Sequence, residues 1–85
     1  MRNMYYAYVI YNKKYDKFYI GQTRDLRERL ELHNHHAFVG YTSRFDGEWE
    51  LIYSEKAPIR REALIREGQL KSFRGREFIK KFIPK

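Results

Sequence analysis

Glu67 falls where an apolar side chain is expected. In the stretch PIRREALIREGQLKSF, residues 58–73, it stands four residues after Ala63 and three before Leu70, on a helical stripe that should face inward. A carboxylate there is costly unless it is paired or holds a cation. A hard ion such as Mg²⁺, which favours carboxylate and water oxygens, suits it. Arg29 is a second charge of this kind. In TRDLRERLELHNH it follows Leu26 by three residues and precedes His33 by four, beside an inward stripe of Leu26, Leu30 and His33. Its planar fork can clamp a phosphate. An Arg29–Glu67 ion pair joining two helices satisfies the same pattern, and that alternative stays open. Of the histidines in HNHH, His33 shares the helix face with Arg29, while His35 and His36 read as solvated loop residues. Their spacing matches no common zinc site, and no cysteine is present to complete one.

Six of the eight tyrosines crowd into YYAYVIYNKKYDKFYIGQT, residues 5–23. They suit ordinary strand aromatics, a stacking surface for bases, or part of a reactive centre. Gly21, near the end of this stretch, suits either close packing against a sheet or the approach of a phosphate backbone.

The elements that must position these residues can be read from periodicity. Residues 5–12 alternate, with Tyr6, Tyr8 and Ile10 on one face and Tyr5, Ala7, Val9 and Tyr11 on the other, which predicts a central strand. NKKYDK is a polar turn, and FYIGQT is a second strand that ends at Gly21 or just beyond and closes an antiparallel hairpin. A helix follows, with Thr23 expected to cap it and Asp25 at the positive end of its dipole. Residues 33–48 read as a loop punctuated by Asn and Gly. WELIYSE is a third strand. Pro58 is expected in the first turn of a second helix with Ala63, Leu64, Leu70 and Phe73 on its apolar face. Gly68 weakens that helix by about 1 kcal/mol against Ala. Gly75 is expected to separate a short last helix, REFIKKFI, with Phe78, Ile79 and Phe82 inward. The predicted class is α+β, a three-stranded antiparallel sheet flanked by helices in the order ββαβαα.

With 85 residues, the chain is expected to be one domain, residues 1–85, with a small core that leans on aromatics. The absence of cysteine excludes disulfides and thiolate zinc sites and fits a reducing cytoplasm. No apolar run reaches the roughly 18 to 20 residues of a membrane span, so no membrane partner is expected. Eighteen Lys and Arg against eleven Asp and Glu give a net charge of +7, which points to a polyanion, nucleic acid before membrane surface.

The same residues carry a recognisable pattern. YAY at 6–8, YIG at 19–21, Arg29, HN at 33–34, YT at 41–42, LIYSE at 51–55 and EALIRE at 62–67 together resemble the GIY-YIG nuclease superfamily, above all its small stand-alone bacterial members. The chain is also similar to the N-terminal incision domain of the excision-repair nuclease. The likeness runs from about Met4 to Phe82. Tyr8 takes the place of the tyrosine of the first motif and Tyr19 that of the second; Gly21 matches the second motif's glycine. Arg29 matches the family's catalytic arginine, His33 a frequent His or Tyr one turn later, and Glu67 its metal-binding glutamate. The first motif departs from its name, with Tyr6 and Ala7 in place of Gly and Ile.

The resemblance implies an endonuclease using Mg²⁺ or Mn²⁺ to hydrolyse phosphodiester bonds, in DNA before RNA, with DNA repair or processing as its setting. Tyr8, Tyr19, Arg29 and His33 would be catalytic. Tyr8 would act as general base or orient the water, its phenolate favoured by nearby cations. Glu67 would hold the metal. Gly21, Arg24, Arg27, Lys71 and Arg74 would meet nucleic acid, with Arg60, Arg61 and Arg76 as further phosphate contacts. The alternative is a non-catalytic nucleic-acid-binding or accessory domain on the same fold.

Overall fold

The computed structural model describes residues 4–35 and 40–84. His36 lies outside them. Strand β1 (Tyr5–Asn12) is the centre of a three-stranded sheet, antiparallel to β2 (Lys17–Thr23) on one side and β3 (Trp49–Ala57) on the other. Helix α1 (Leu26–Asn34) follows the hairpin, while α2 (Arg60–Lys71) and α3 (Phe73–Ile79) follow β3. The order is ββαβαα, as the periodicity predicts.

The central strand is apolar on both faces because both are covered. Ala7 and Val9 join Ile20, Leu70 and Ile79 in an aliphatic cluster under α2 and α3. Tyr8, Ile10 and Trp49 form a second cluster on the other face, where Leu26 and Leu30 of α1 pack with Tyr19 and Phe45. The β1–β3 register slips between Val9 and Ile10, so that Val9 faces Tyr53 but Ile10 faces Leu51. Such a bulge re-aims side chains. It lets the consecutive Ile52 and Tyr53 both pack on the aliphatic cluster.

Several boundaries differ from the expectation. Asp25, not Thr23, caps α1, its side chain accepting from Glu28 N at 3.0 Å. Thr23 is committed to the sheet opposite Tyr6, and its hydroxyl braces the Asp25 backbone instead. Gly21 lies inside β2, two residues before its end. Strand β3 runs on to Ala57 opposite Tyr5, so Pro58 precedes the Ile59 cap and α2 starts at Arg60. Ala63 and Leu70 are fully buried, but Leu64 is 43% exposed because it sits about a quarter turn off their stripe. Phe73 is 77% exposed: α2 ends at Lys71 with Ser72 as its cap, so its helical phase does not carry into α3. Gly75 does not separate helices. It is buried within the first turn of α3, whose Ser72 cap accepts from Gly75 N. Of the three residues expected inward, Ile79 is buried, Phe78 half-buried and Phe82 at the rim, its ring 4.9 Å from that of Tyr53.

Candidate active site

The hairpin register places Tyr8 opposite Gly21 and Ile10 opposite Tyr19, so both tyrosines point to the α1 face of the sheet. Their ring centroids are 6.4 Å apart. Gly21 has a definite part in this. A Cβ there would come within 2.7 Å of the Tyr8 hydroxyl and 2.9 Å of its Cζ. The glycine leaves the space in which the Tyr8 ring lies across β2. Of the two roles the sequence left open, close packing is the one the geometry supplies.

The last turn of α1 supplies His33, 3% exposed. Its Nε2 lies 2.9 Å from Tyr8 Oη, and its Nδ1 lies 2.9 Å from Thr42 Oγ1. Tyr8, His33 and Thr42 thus form one buried hydrogen-bonded chain from the sheet through α1 to the short 3-10 turn Thr42–Arg44. Tyr19 packs against the same imidazole, centroids 5.2 Å apart. The next residue, Asn34, anchors the end of α1. Its Nδ2 donates to Trp49 O at 3.0 Å and its Oδ1 accepts from Trp49 N at 2.6 Å, as an added strand would.

Burial sets the protonation of the chain. It lowers the His33 pKa from its ordinary 6.5 to about 4, with the Arg29 charge adding to the effect. The imidazole is therefore neutral at neutral pH. Burial also pushes the Tyr8 phenol well above its ordinary value, and the nearby Tyr19 and Glu67 add to this while Arg29 opposes it. Cations are expected to favour a Tyr8 phenolate; among the protein's own groups Arg29 has that sign, but desolvation outweighs it.

The His33 shift has a measurable consequence. Between about pH 6.5 and 4 the unfolded chain takes up a proton at this residue and the native chain does not. Stability should be full above pH 6.5 and fall as the pH drops toward 4. An NMR titration of the His33 ring should give a midpoint near 4; a midpoint at or above 6 would contradict the buried chain.

Glu67 sits on α2 between the buried Ala63 and Leu70, with its side chain 18% exposed. It is near enough to the site for its charge to act on Tyr8. Its Oε2 accepts from Lys71 Nζ at 2.7 Å. Among the described residues, no three His, Cys, Asp or Glu side chains gather into a metal cluster. A metal here would rest on one carboxylate with water completing its shell, a donor set that suits Mg²⁺ or Mn²⁺ and not zinc.

The structure therefore brings together Tyr8, Tyr19, Gly21, Arg29, His33, Glu67 and Lys71. The remaining basic residues are dispersed. Arg24 lies over the Tyr5 ring, 5.7 Å from its centroid, and shares a groove of about 420 Å³ with Arg29 and Arg60. Arg27 is exposed on α1. Arg74 lines a different depression, with Arg66 and Phe78. Asn34, Tyr41 and Thr42 belong to the HN and YT pieces of the motif likeness, but the sequence assigns them no role. A buried threonine in a polar loop has no periodic signature, and the contacts of all three span the chain.

Comparison with known proteins adds to this geometry. The family model of the GIY-YIG catalytic domain matches residues 4–80. A solution NMR structure of a UPF0213 protein from Bacillus halodurans is similar at a TM-score of 0.53 and 28% identity, over 92% of this chain and 83% of that one. No curated protein matches the chain. No helix among the described residues is long and apolar enough to cross a membrane.

Proposed function

The chain belongs to the GIY-YIG family, a nuclease family acting on nucleic acid and generally using divalent metals, and we propose that it is itself a metal-dependent endonuclease. Residues 1–85 are read as one catalytic domain, cytoplasmic, cutting DNA before RNA, in DNA repair or processing. The observation that carries the proposal is the Tyr8–His33–Thr42 chain, with Tyr19, Arg29 and Glu67 all close enough to act on it.

The residues divide the chemistry among them. The relay uses the Nδ1–H tautomer of neutral His33, in which the Tyr8 phenol donates to Nε2 at 2.9 Å and Nδ1–H donates to Thr42 Oγ1 at 2.9 Å. Thr42 thereby holds the ring with its acceptor nitrogen toward Tyr8. As a water attacks phosphorus, Tyr8 Oη takes the water's proton while its own passes to His33 Nε2. Tyr8 is then a relay, not a resident phenolate, with the neutral His33 as the proton's acceptor. Arg29 donates charge-assisted hydrogen bonds to the phosphoryl oxygens as negative charge builds. Tyr19 closes the other side of the imidazole and positions the phosphate. A Mg²⁺ or Mn²⁺ held on Glu67 would neutralise that charge and the leaving oxygen.

The test is a panel of labelled single-stranded, duplex, flap and junction DNA, with matching RNA, incubated with Mn²⁺ or Mg²⁺. Cleavage that EDTA blocks and Arg29→Ala removes is the expected result. A purified, folded protein that leaves every substrate whole would return the chain to the accessory reading.

Gly21 offers a sharper test. In Gly21→Ala the new methyl meets the Tyr8 hydroxyl and displaces it from His33. Loss of a positioned proton relay costs about 10²- to 10⁴-fold. Gly21→Ala should thus lower the cleavage rate about as far as Tyr8→Phe does, although it removes no functional group. Wild-type rates in Gly21→Ala would detach Tyr8 from the chemistry.

A further inference from the structure

A groove of about 520 Å³ opens beside the candidate active site, within the roughly 300–1,000 Å³ usual for small-ligand sites. Its walls include Phe18 and Tyr19 of β2, Tyr41, Lys17, Lys71 and Arg76. Two of these residues tie it to the site. Tyr19 packs on His33, and Lys71 donates to Glu67.

The aromatic arrangement in this groove is specific. Tyr41 lies almost parallel to Tyr19, at 23° with centroids 6.2 Å apart, and is itself 40% exposed. Phe45 braces the Tyr41 ring at 5.2 Å. The exposed part of this ring, packed between Tyr19 and Phe45, lines the groove, with three cationic side chains along the same walls. The one carboxylate in the lining, Asp16, already accepts from Tyr11 Oη at 2.7 Å.

We propose that this groove binds an unpaired nucleotide adjoining the scissile phosphate, with its base stacked on Tyr41 and its backbone held by Lys17 and Arg76. The assignment rests on the nuclease reading above and adds a substrate class to it. A rigid aromatic ring among cations is how proteins hold single strands, because every base has a π-face. In a continuous duplex those faces are covered by neighbouring bases. The groove therefore favours a strand that is single, frayed or flipped at this point. The sugar-phosphate chain of the same nucleotide would run from Lys17 and Arg76 toward Arg29.

The experiment is fluorescence anisotropy in EDTA, with a labelled 12-nucleotide oligodeoxythymidylate and a blunt duplex of equal length. Loss of one base stack is worth about 5- to 150-fold in affinity. Tyr41→Ala should weaken binding of the single strand by about that factor and leave the duplex affinity unchanged, while Tyr41→Phe and Tyr41→Trp bind as the wild type. Arg76→Glu, a change at an exposed side chain, should weaken the single strand without lowering the melting temperature. Tyr41→Ala binding the oligonucleotide as the wild type does, or losing both probes equally, would overturn the subsite. Plasmid nicking with Mn²⁺, read in parallel, keeps the two proposals apart. A protein that nicks DNA but binds independently of Tyr41 loses the subsite alone. One that binds through Tyr41 but cuts nothing loses the nuclease reading alone.

Discussion

Replacing Glu67 with glutamine should abolish strand cleavage and barely alter stability. The amide keeps the shape of the side chain but loses the charge that would hold a divalent cation. Metal-assisted stabilisation of a phosphoryl transition state is worth several kcal/mol, so its loss lowers the rate by roughly 10³-fold or more. The structural cost is small by comparison. The Lys71–Glu67 contact is an i,i+4 pair with Lys71 half exposed, a class of interaction worth about 1 kcal/mol or less. Cleavage with Mn²⁺ of the labelled substrate that the wild type cuts fastest, paired with a thermal melt, reads both quantities. Glu67→Gln cutting at the wild-type rate would remove Glu67 from the metal site. An inactive variant whose melting temperature has also collapsed would instead make Glu67 a structural residue, part of the interhelical pairing its sequence position also allows.

Replacing Gly75 with alanine should be the most damaging glycine-to-alanine change in this protein. The new Cβ would fall 2.2 Å from Gln69 O and 2.4 Å from Leu70 Cα, backbone atoms of the last turn of α2 that cannot rotate away. Either α3 moves off α2, or the Leu70–Ile79 packing that caps the aliphatic cluster opens. Overpacking of this kind costs about 3 kcal/mol or more. A domain of this size has a total stability of roughly 4–13 kcal/mol, and the melting temperature should fall by roughly 10–20 °C. Gly68→Ala is the matched control. It lies in α2 where the added methyl meets no neighbouring side chain or other element within 4 Å, and should stabilise by about 0.5–1 kcal/mol through helix propensity. Circular-dichroism melts of the two variants decide the matter. Equal melting temperatures would refute the close α2–α3 contact.

Much of the candidate site was legible before any geometry, for a definable reason. Arg29 and Glu67 announce themselves because helical periodicity places a charge where an apolar residue should be, and such an exception has to be explained by pairing, metal or substrate. Tyr8 and Tyr19 were not distinguished from the other strand tyrosines by periodicity; the motif likeness singled them out. Thr42 and Tyr41 carried no periodic signal, since they lie in an irregular segment where polar and aromatic residues are unremarkable. Lys71 appeared as one more exposed cation among many. Its i,i+4 spacing from Glu67 is local to α2, but its place in the groove emerges only when α2 is laid against β2.

By itself the sequence determined the two-residue period of β1, the hairpin, the inward stripe of α1, the buried Ala63 and Leu70 of α2, and hence the order ββαβαα. These are short-range properties, dictated by side-chain alternation and helical pitch. Only the tertiary structure decided what the site is made of and how it is charged. The cross-strand register sets the Tyr8 ring over Gly21, and a contact across nine residues closes the His33–Thr42 bond. Packing of α1 on the sheet buries both Tyr8 and His33, and among the protein's own groups this burial outweighs the pull of Arg29 toward a Tyr8 phenolate. Burial depends on everything packed around a group, whereas periodicity depends only on its neighbours in the chain, so the charge state of the site could not be read until the fold was known.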